Sequence, residues 1–144
     1  MPTRRVIVQV SLLGLCGSIP GRARAGDPAI RPSEVWYQEA VRMRRLAESW
    51  GDQSYGAVLV LGSALAGEGP SRVVLDKDPN AHAERVAIAD AQRRLGRRSL
   101  EGAVLYSTSR PCPACEAAAA KAGISRMYFG QELQDAGKPS AGAQ

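Results

Sequence analysis

Hydrophobic positions along this chain change period from segment to segment, and each change marks an element. Trp36, Ala40, Met43, Ala47 and Trp50 recur at spacings of 4, 3, 4 and 3, one stripe of an amphipathic helix that Ser33 can cap and Gly51 can end. Tyr55 to Leu61 (YGAVLVL) is a short continuous apolar run, the pattern of a buried strand, and Ala64 to Ala66 can return beside it across Gly62 and Ser63. Gly67, Gly69 and Pro70 mark a loop, and Val73 to Leu75 reads either as a strand end or as part of that loop. Asp78-Pro79-Asn80 is a turn into a second helix with Ala83, Val86, Ala87 and Ala91 on its apolar side. Arg93, Arg94, Arg97 and Arg98 close that helix, where cations complement the partial negative charge of the terminus; they read as a solvated basic end, with a phosphate site as the alternative. A strand from Ala103 to Ser107, an alanine-rich helix from Cys112 to Ala122 and a strand from Ile124 to Phe129 follow. From Gln131 the chain turns to Gly, Pro, Ser and Ala, so residues beyond Ala136 are expected to fray and 137–144 to form a flexible tail. Helix, hairpin, helix, strand, helix, strand is the order of a sheet covered by helices on both sides.

At 144 residues and 15.3 kDa the chain holds one domain, placed at residues 26–136. With 44% apolar and 23% charged residues, it falls outside the collagen-like, disordered and multi-span membrane classes. Aromatic residues are only 5%, so aliphatic side chains and alanine must fill a small core.

The net charge of +5 suggests nucleic acid until its distribution is considered. Arg4, Arg5, Arg22 and Arg24 lie in residues 1–25, which contain no acid; without them fifteen of the nineteen basic residues face fourteen acidic ones. The basicity therefore belongs to the leader. Arg4 and Arg5 precede an apolar stretch from Val6 to Cys16, then Pro20-Gly21 and Ala23-Arg24-Ala25, the three parts of a secretory signal peptide with cleavage expected after Ala25. The stretch is shorter than the ~20 apolar residues of a membrane-spanning helix, so no membrane association is expected once the leader is removed. Thr3-Arg4-Arg5-Val6-Ile7 also resembles the twin-arginine export signal. The expected location is exported, periplasmic or secreted, ahead of organelle import. Leu15 stands where a lipid anchor at Cys16 would need a small residue, so Cys16 is read as part of the leader.

Two short motifs carry chemistry. His82-Ala83-Glu84 begins one helix and Pro111-Cys112-Pro113-Ala114-Cys115 begins the next. His82, Cys112 and Cys115 offer one imidazole and two thiolates, which leaves one tetrahedral position of a zinc ion open, the mark of a catalytic rather than a structural site. Two cysteines three apart on a first helical turn project to one side, and the positive helix end helps hold both as thiolates. Glu84 lies close enough to His82 to reach a water without displacing a ligand, the place of a proton shuttle. Each piece alone has a plainer explanation. A sole histidine can be a packed or surface residue, and C-x-x-C in an exported protein can be a disulfide or a thioredoxin-type pair. Together, the sole His, a Glu two residues on, and cysteines 30 and 33 positions later point to metal ligation, one Zn²⁺ per chain.

H-x-E followed by P-C-x-x-C is the pattern of zinc nucleobase deaminases. The chain resembles the cytidine and deoxycytidylate deaminase superfamily, in its branch of guanine deaminases and tRNA-type adenosine deaminases, from about Glu39 to Gly130. The resemblance includes Asp52 to Val58, Asp78 to Glu84, Leu105 to Thr108 before the Pro-Cys motif, and Ala122 to Gly130. It implies an α/β fold, a three-layer αβα sandwich with a mixed sheet of about five strands, assembled as a homodimer, with a pocket between the first strand and the ligand-bearing helices. It also implies Glu84 as the acid-base group.

At two positions the chain departs from the branch. Ser71 stands where purine enzymes carry a base-binding asparagine, and Arg110 where tRNA-type enzymes carry glutamate before Pro-Cys. With a near-neutral domain, these departures favour a free nucleobase or nucleoside over nucleic acid as the partner. Tyr55 is a candidate for the pocket wall and Ser71 for a substrate contact, each with a packing or loop role as the alternative. Two rival functions remain: a thiol-disulfide oxidoreductase using Cys112 and Cys115, and a catalytically silent zinc-binding module.

Overall fold

The computed structural model of the protein describes residues 32–142. The expected leader and the expected cleavage after Ala25 lie outside the described residues. Helix α1 spans Glu34–Ser49, strands β1 and β2 span Gly56–Leu61 and Ala64–Pro70, and α2 spans Ala83–Leu95. Strand β3 (Ala103–Ser107), helix α3 (Pro113–Ala122) and strands β4 (Arg126–Phe129) and β5 (Gln134–Gly137) follow. The five strands lie in the order β2-β1-β3-β4-β5, with only β3 and β4 parallel, so the sheet is mixed as expected.

Alternation along the central strands makes three layers. Val58, Val60, Val104, Tyr106 and Tyr128 pack under Ala40 and Met43 of α1. Their neighbours Ala57, Leu59, Leu105 and Met127 face the opposite layer, where Ala83, Ala87 and Ala91 of α2 and Ala119 of α3 close the core. Period-2 strands buried on both faces read as continuous apolar runs, which explains why GAVLVL of β1 carries no polar residue.

Several elements differ from their sequence patterns for physical reasons. In α1, Ala40, Met43 and Ala47 are buried together with Tyr37 and Val41, while Trp36 is half-buried and Trp50 is exposed. The helix stops at Ser49 and the chain reverses at Gly51, at φ +75°, so Trp50 leaves the stripe and lies beneath the Arg72 guanidinium, 5.6 Å from its ring centroid. In α2, Ile88 rather than Val86 is buried. Val73 to Leu75 forms a turn, not a strand.

Gly67, Gly69 and Pro70, expected in a loop, belong to β2. A Cβ on Gly69 would press on the Ala83 carbonyl and come within 2.5 Å of the Ala87 nitrogen, and one on Gly67 would lie 2.7 Å from the Ala91 Cβ. These glycines let α2 lie directly on the strand, and a methyl at either position would force the two apart.

The chain also stays structured beyond Ala136. Gly137 pairs with Met127, Pro139 is buried, and the Ser140 backbone N–H donates to Glu116 Oε1 at 3.3 Å. Pairing with β4 supplies order that the composition of this segment does not advertise. Among the described residues, no helix is long and apolar enough to cross a membrane.

Candidate active site

Helices α2 and α3 both start beyond the carboxyl end of β3, so their positive ends converge there. His82 is the N-cap residue of α2, and Cys112 is that of α3 with Pro113 at the first helical position. The Cys112 sulfur accepts the Cys115 backbone N–H at 3.4 Å, which folds both sulfurs onto one side of the first turn. His82 Nδ1 lies 3.6 Å from the Cys112 sulfur and 3.5 Å from the Cys115 sulfur.

Those separations fit a metal. Zinc–sulfur and zinc–nitrogen bonds of about 2.3 and 2.0–2.1 Å at a tetrahedral angle hold sulfur and nitrogen about 3.5 Å apart. The three donor atoms all lie within 4.8 Å of one another. Burial, and after it the charge of Glu84, pushes the Cys115 thiol well above its ordinary pKa, so a cation is what this donor set needs to hold the thiolate. His82, Cys112 and Cys115 form a site for one zinc ion. No disulfide joins Cys112 and Cys115, and the same histidine faces both sulfurs.

Glu84, in the first turn of α2, is only 5% exposed. Its Oε1 accepts the hydroxyl of Ser107 at 2.8 Å. Ser107, fully buried at the end of β3, in turn accepts the Ser109 backbone N–H at 3.5 Å. Sequence reasoning missed Ser107: a small hydroxyl at a strand end carries no signal until the strand register and α2 bring it to the carboxylate.

Because β1 runs antiparallel to β3 with Ala57 opposite Ser107, the start of β1 lies beside the end of β3. This places Tyr55, 46% exposed, on the wall of a cleft together with Gln53, Ser54, Ser109 and Arg110, above His82, Glu84 and Cys112. Ser71 lies elsewhere. It is fully buried and donates to Asp52 Oδ1 at 2.9 Å, while Asp52 Oδ2 accepts the N–H groups of Val74 and Leu75 at 2.9 and 2.8 Å. Ser71 thus anchors the turn after β2 and is not among the residues lining the cleft.

Residues 31–131 match the family model for the cytidine and deoxycytidylate deaminase zinc-binding region. The chain belongs to this family. Among curated relatives, the tRNA-specific adenosine deaminase of Bacillus subtilis is 34% identical over 97 residues, 67% of this chain and 60% of that protein. The guanine deaminase of Bacillus subtilis is 38% identical over 82 residues, 57% of this chain and 53% of that protein. The chain therefore spans between half and two thirds of these two relatives' length. The crystal structure of guanine deaminase from Bacillus subtilis superposes with a TM-score of 0.65 at 32% identity, covering 69% of this chain and 64% of that one. A structure from work on A-to-I editing by tRNA:A34 deaminases gives a TM-score of 0.66 at 36% identity, covering 68% of this chain and 71% of its own. These likenesses agree with the α/β sandwich and mixed sheet, and the family description agrees with zinc.

Proposed function

We propose that the protein is a zinc-dependent aminohydrolase that releases ammonia from a small aminated nucleobase or nucleoside. The observation that carries this reading is the buried Glu84 carboxylate beside the His82, Cys112 and Cys115 donors, held by Ser107 and facing an open cleft. Zinc at such a site supplies a Lewis acid and acidifies water. Glu84 takes the proton of the attacking water and returns protons to the ring nitrogen and then to the departing amine, so that one carboxylate serves both halves of the reaction. The helix N-termini of α2 and α3 hold the donors in place, and Tyr55 walls the cleft against solvent.

A retained carboxylate at the donor set argues against a silent zinc-binding module, which has no use for an acid-base group there. The near-neutral charge outside residues 1–25 supports a free small substrate over RNA, although the tRNA-specific relatives make an RNA stem-loop the natural comparison substrate. Export rests on the leader pattern, and homodimer formation on the family resemblance.

The test is ammonia release from cytosine, cytidine, adenine, adenosine, guanine, guanosine and an anticodon stem-loop, with Glu84→Gln as the control. Glutamine keeps the size and hydrogen bonding of the side chain but cannot carry the proton, so zinc and fold should persist while activity falls by about 10⁴-fold or more. A variant that keeps more than about a tenth of the activity assigns the proton transfer to another group. Deamination of the stem-loop alone would replace the small-substrate reading with an RNA one.

A further inference from the structure

Among the described residues Arg110 is the one cation on the cleft wall, and nothing in the chemistry above uses it. It is exposed and precedes Pro111, two residues before the ligand Cys112. Two residues span at most about 7 Å, so its backbone has a short, fixed tether to the donor set. Its guanidinium lies over the ring of Phe129, 5.5 Å from the centroid. Stacking occupies one face of the guanidinium and leaves its N–H edge, a planar fork of donors, available to an oxyanion.

Its position, rather than the absence of an ion pair, sets it apart: among the described residues Arg45, Arg85, Arg97 and Arg98 also lack a carboxylate partner, but none of them lines the cleft. Arg42, Arg44, Arg72, Arg93, Arg94 and Arg126 each pair with a carboxylate. Among the described residues no carboxylate pairs with Arg110. The wall around it is neutral, with Gln53, Tyr55 and Ser109, and with Ser54, whose hydroxyl is turned to Glu48. The one acid lining the cleft among the described residues, Glu84, is buried on the Ser107 hydroxyl. The cleft is thus polarised, with the His82 and Cys112 donors and the Glu84 carboxylate at its floor and the Arg110 guanidinium at its rim.

We infer that Arg110 selects substrates bearing an oxyanion, a phosphate or a carboxylate, on the end away from the amino group, so that mononucleotides or carboxylated heterocycles are preferred over neutral nucleosides. This rests on the deaminase reading of the cleft and narrows its substrate class. A charge-assisted guanidinium–oxyanion contact gives a preference of about 10- to 100-fold, weakened by salt because the rim is open to water.

The test measures calorimetric binding and ammonia release with the full chain for matched pairs: AMP against adenosine, CMP against cytidine, GMP against guanosine, and pterin-6-carboxylate against pterin. The wild type should bind the anionic member of at least one pair 10-fold or more tightly. The pair that shows it tells phosphate from carboxylate. In Arg110→Gln the ratio should fall to near one, and in Arg110→Glu below one. A wild-type ratio near one in every pair, no binding of any anionic member, or a ratio that survives in Arg110→Gln overturns the inference. An Arg110-dependent ratio without ammonia from any pair keeps the inference and removes the deaminase reading. Ammonia from nucleosides with no anionic preference does the reverse.

Discussion

The hydroxyl of Ser107 at the end of β3 donates to Oε1 of Glu84 in the first turn of α2 at 2.8 Å, both residues being buried. This bond holds one carboxylate oxygen and restricts the side chain's rotation. Ser107→Ala should strip Oε1 of that partner and lower the turnover number about 10-fold with zinc content retained, while Ser107→Thr, which keeps the hydroxyl, should restore much of the loss. A net hydrogen bond of about 1 kcal/mol corresponds to a melting temperature lower by about 4 °C. Full activity in Ser107→Ala would show that helix geometry alone orients Glu84.

Metal content follows from the donor geometry. Protein purified without chelator should hold about one zinc per chain, and chelation should lower its melting temperature, because metal-binding energy is partly folding energy. Cys112→Ser and His82→Ala should lose metal and stability together. Elemental analysis and non-reducing mass spectrometry make the check, and a Cys112–Cys115 disulfide in active protein would falsify the zinc assignment.

Glu68 of β2 ties both helical layers to the sheet edge, accepting Arg42 of α1 and Arg94 of α2, each at 2.7 Å. The Arg94 hydrogen bond, against a smaller effect of burial and with help from Arg42, holds its carboxyl below the ordinary glutamate range. A carboxyl lowered in the folded state contributes its stability in full above its unfolded pKa and loses it as pH falls through the folded one. With both arginines about half exposed, the pairs contribute about 1 kcal/mol together. Glu68→Gln should therefore be less stable than the wild type at pH 7 and nearly equal to it near pH 3.5, as read by urea unfolding. An equal gap at both pH values would mean that the arginines contribute packing alone.

The proposal that residues 1–25 are an export leader has its own test. Exported material should begin at or near Gly26 by N-terminal sequencing, and replacing Arg4 and Arg5 with lysine should keep the protein inside the cell if the twin-arginine route carries it. Continued export of that variant would leave the general secretory route.

The amino-acid sequence by itself determined the donor set and its carboxylate. Within each pair, His82 with Glu84 and Cys112 with Cys115, short spacing on a first helical turn is enough to turn the residues to one side, whereas the meeting of the two pairs across 30 and 33 positions is tertiary. It also determined most of the elements, because β1, α2, β3 and α3 each carry a period or cap that their own residues dictate. Tertiary structure decided the rest, wherever the partner is distant in sequence. Gly67 and Gly69 look like loop glycines until α2 lies on them. Beyond Ala136 the chain takes its order from β4 and α3 rather than from its composition. Ser107 reaches Glu84 across 23 positions, and Ser71 reaches Asp52 across 19. Spacing along the chain controls what lies within one helical turn, whereas contacts across the sheet depend on strand register and helix packing, which form only when the whole core closes.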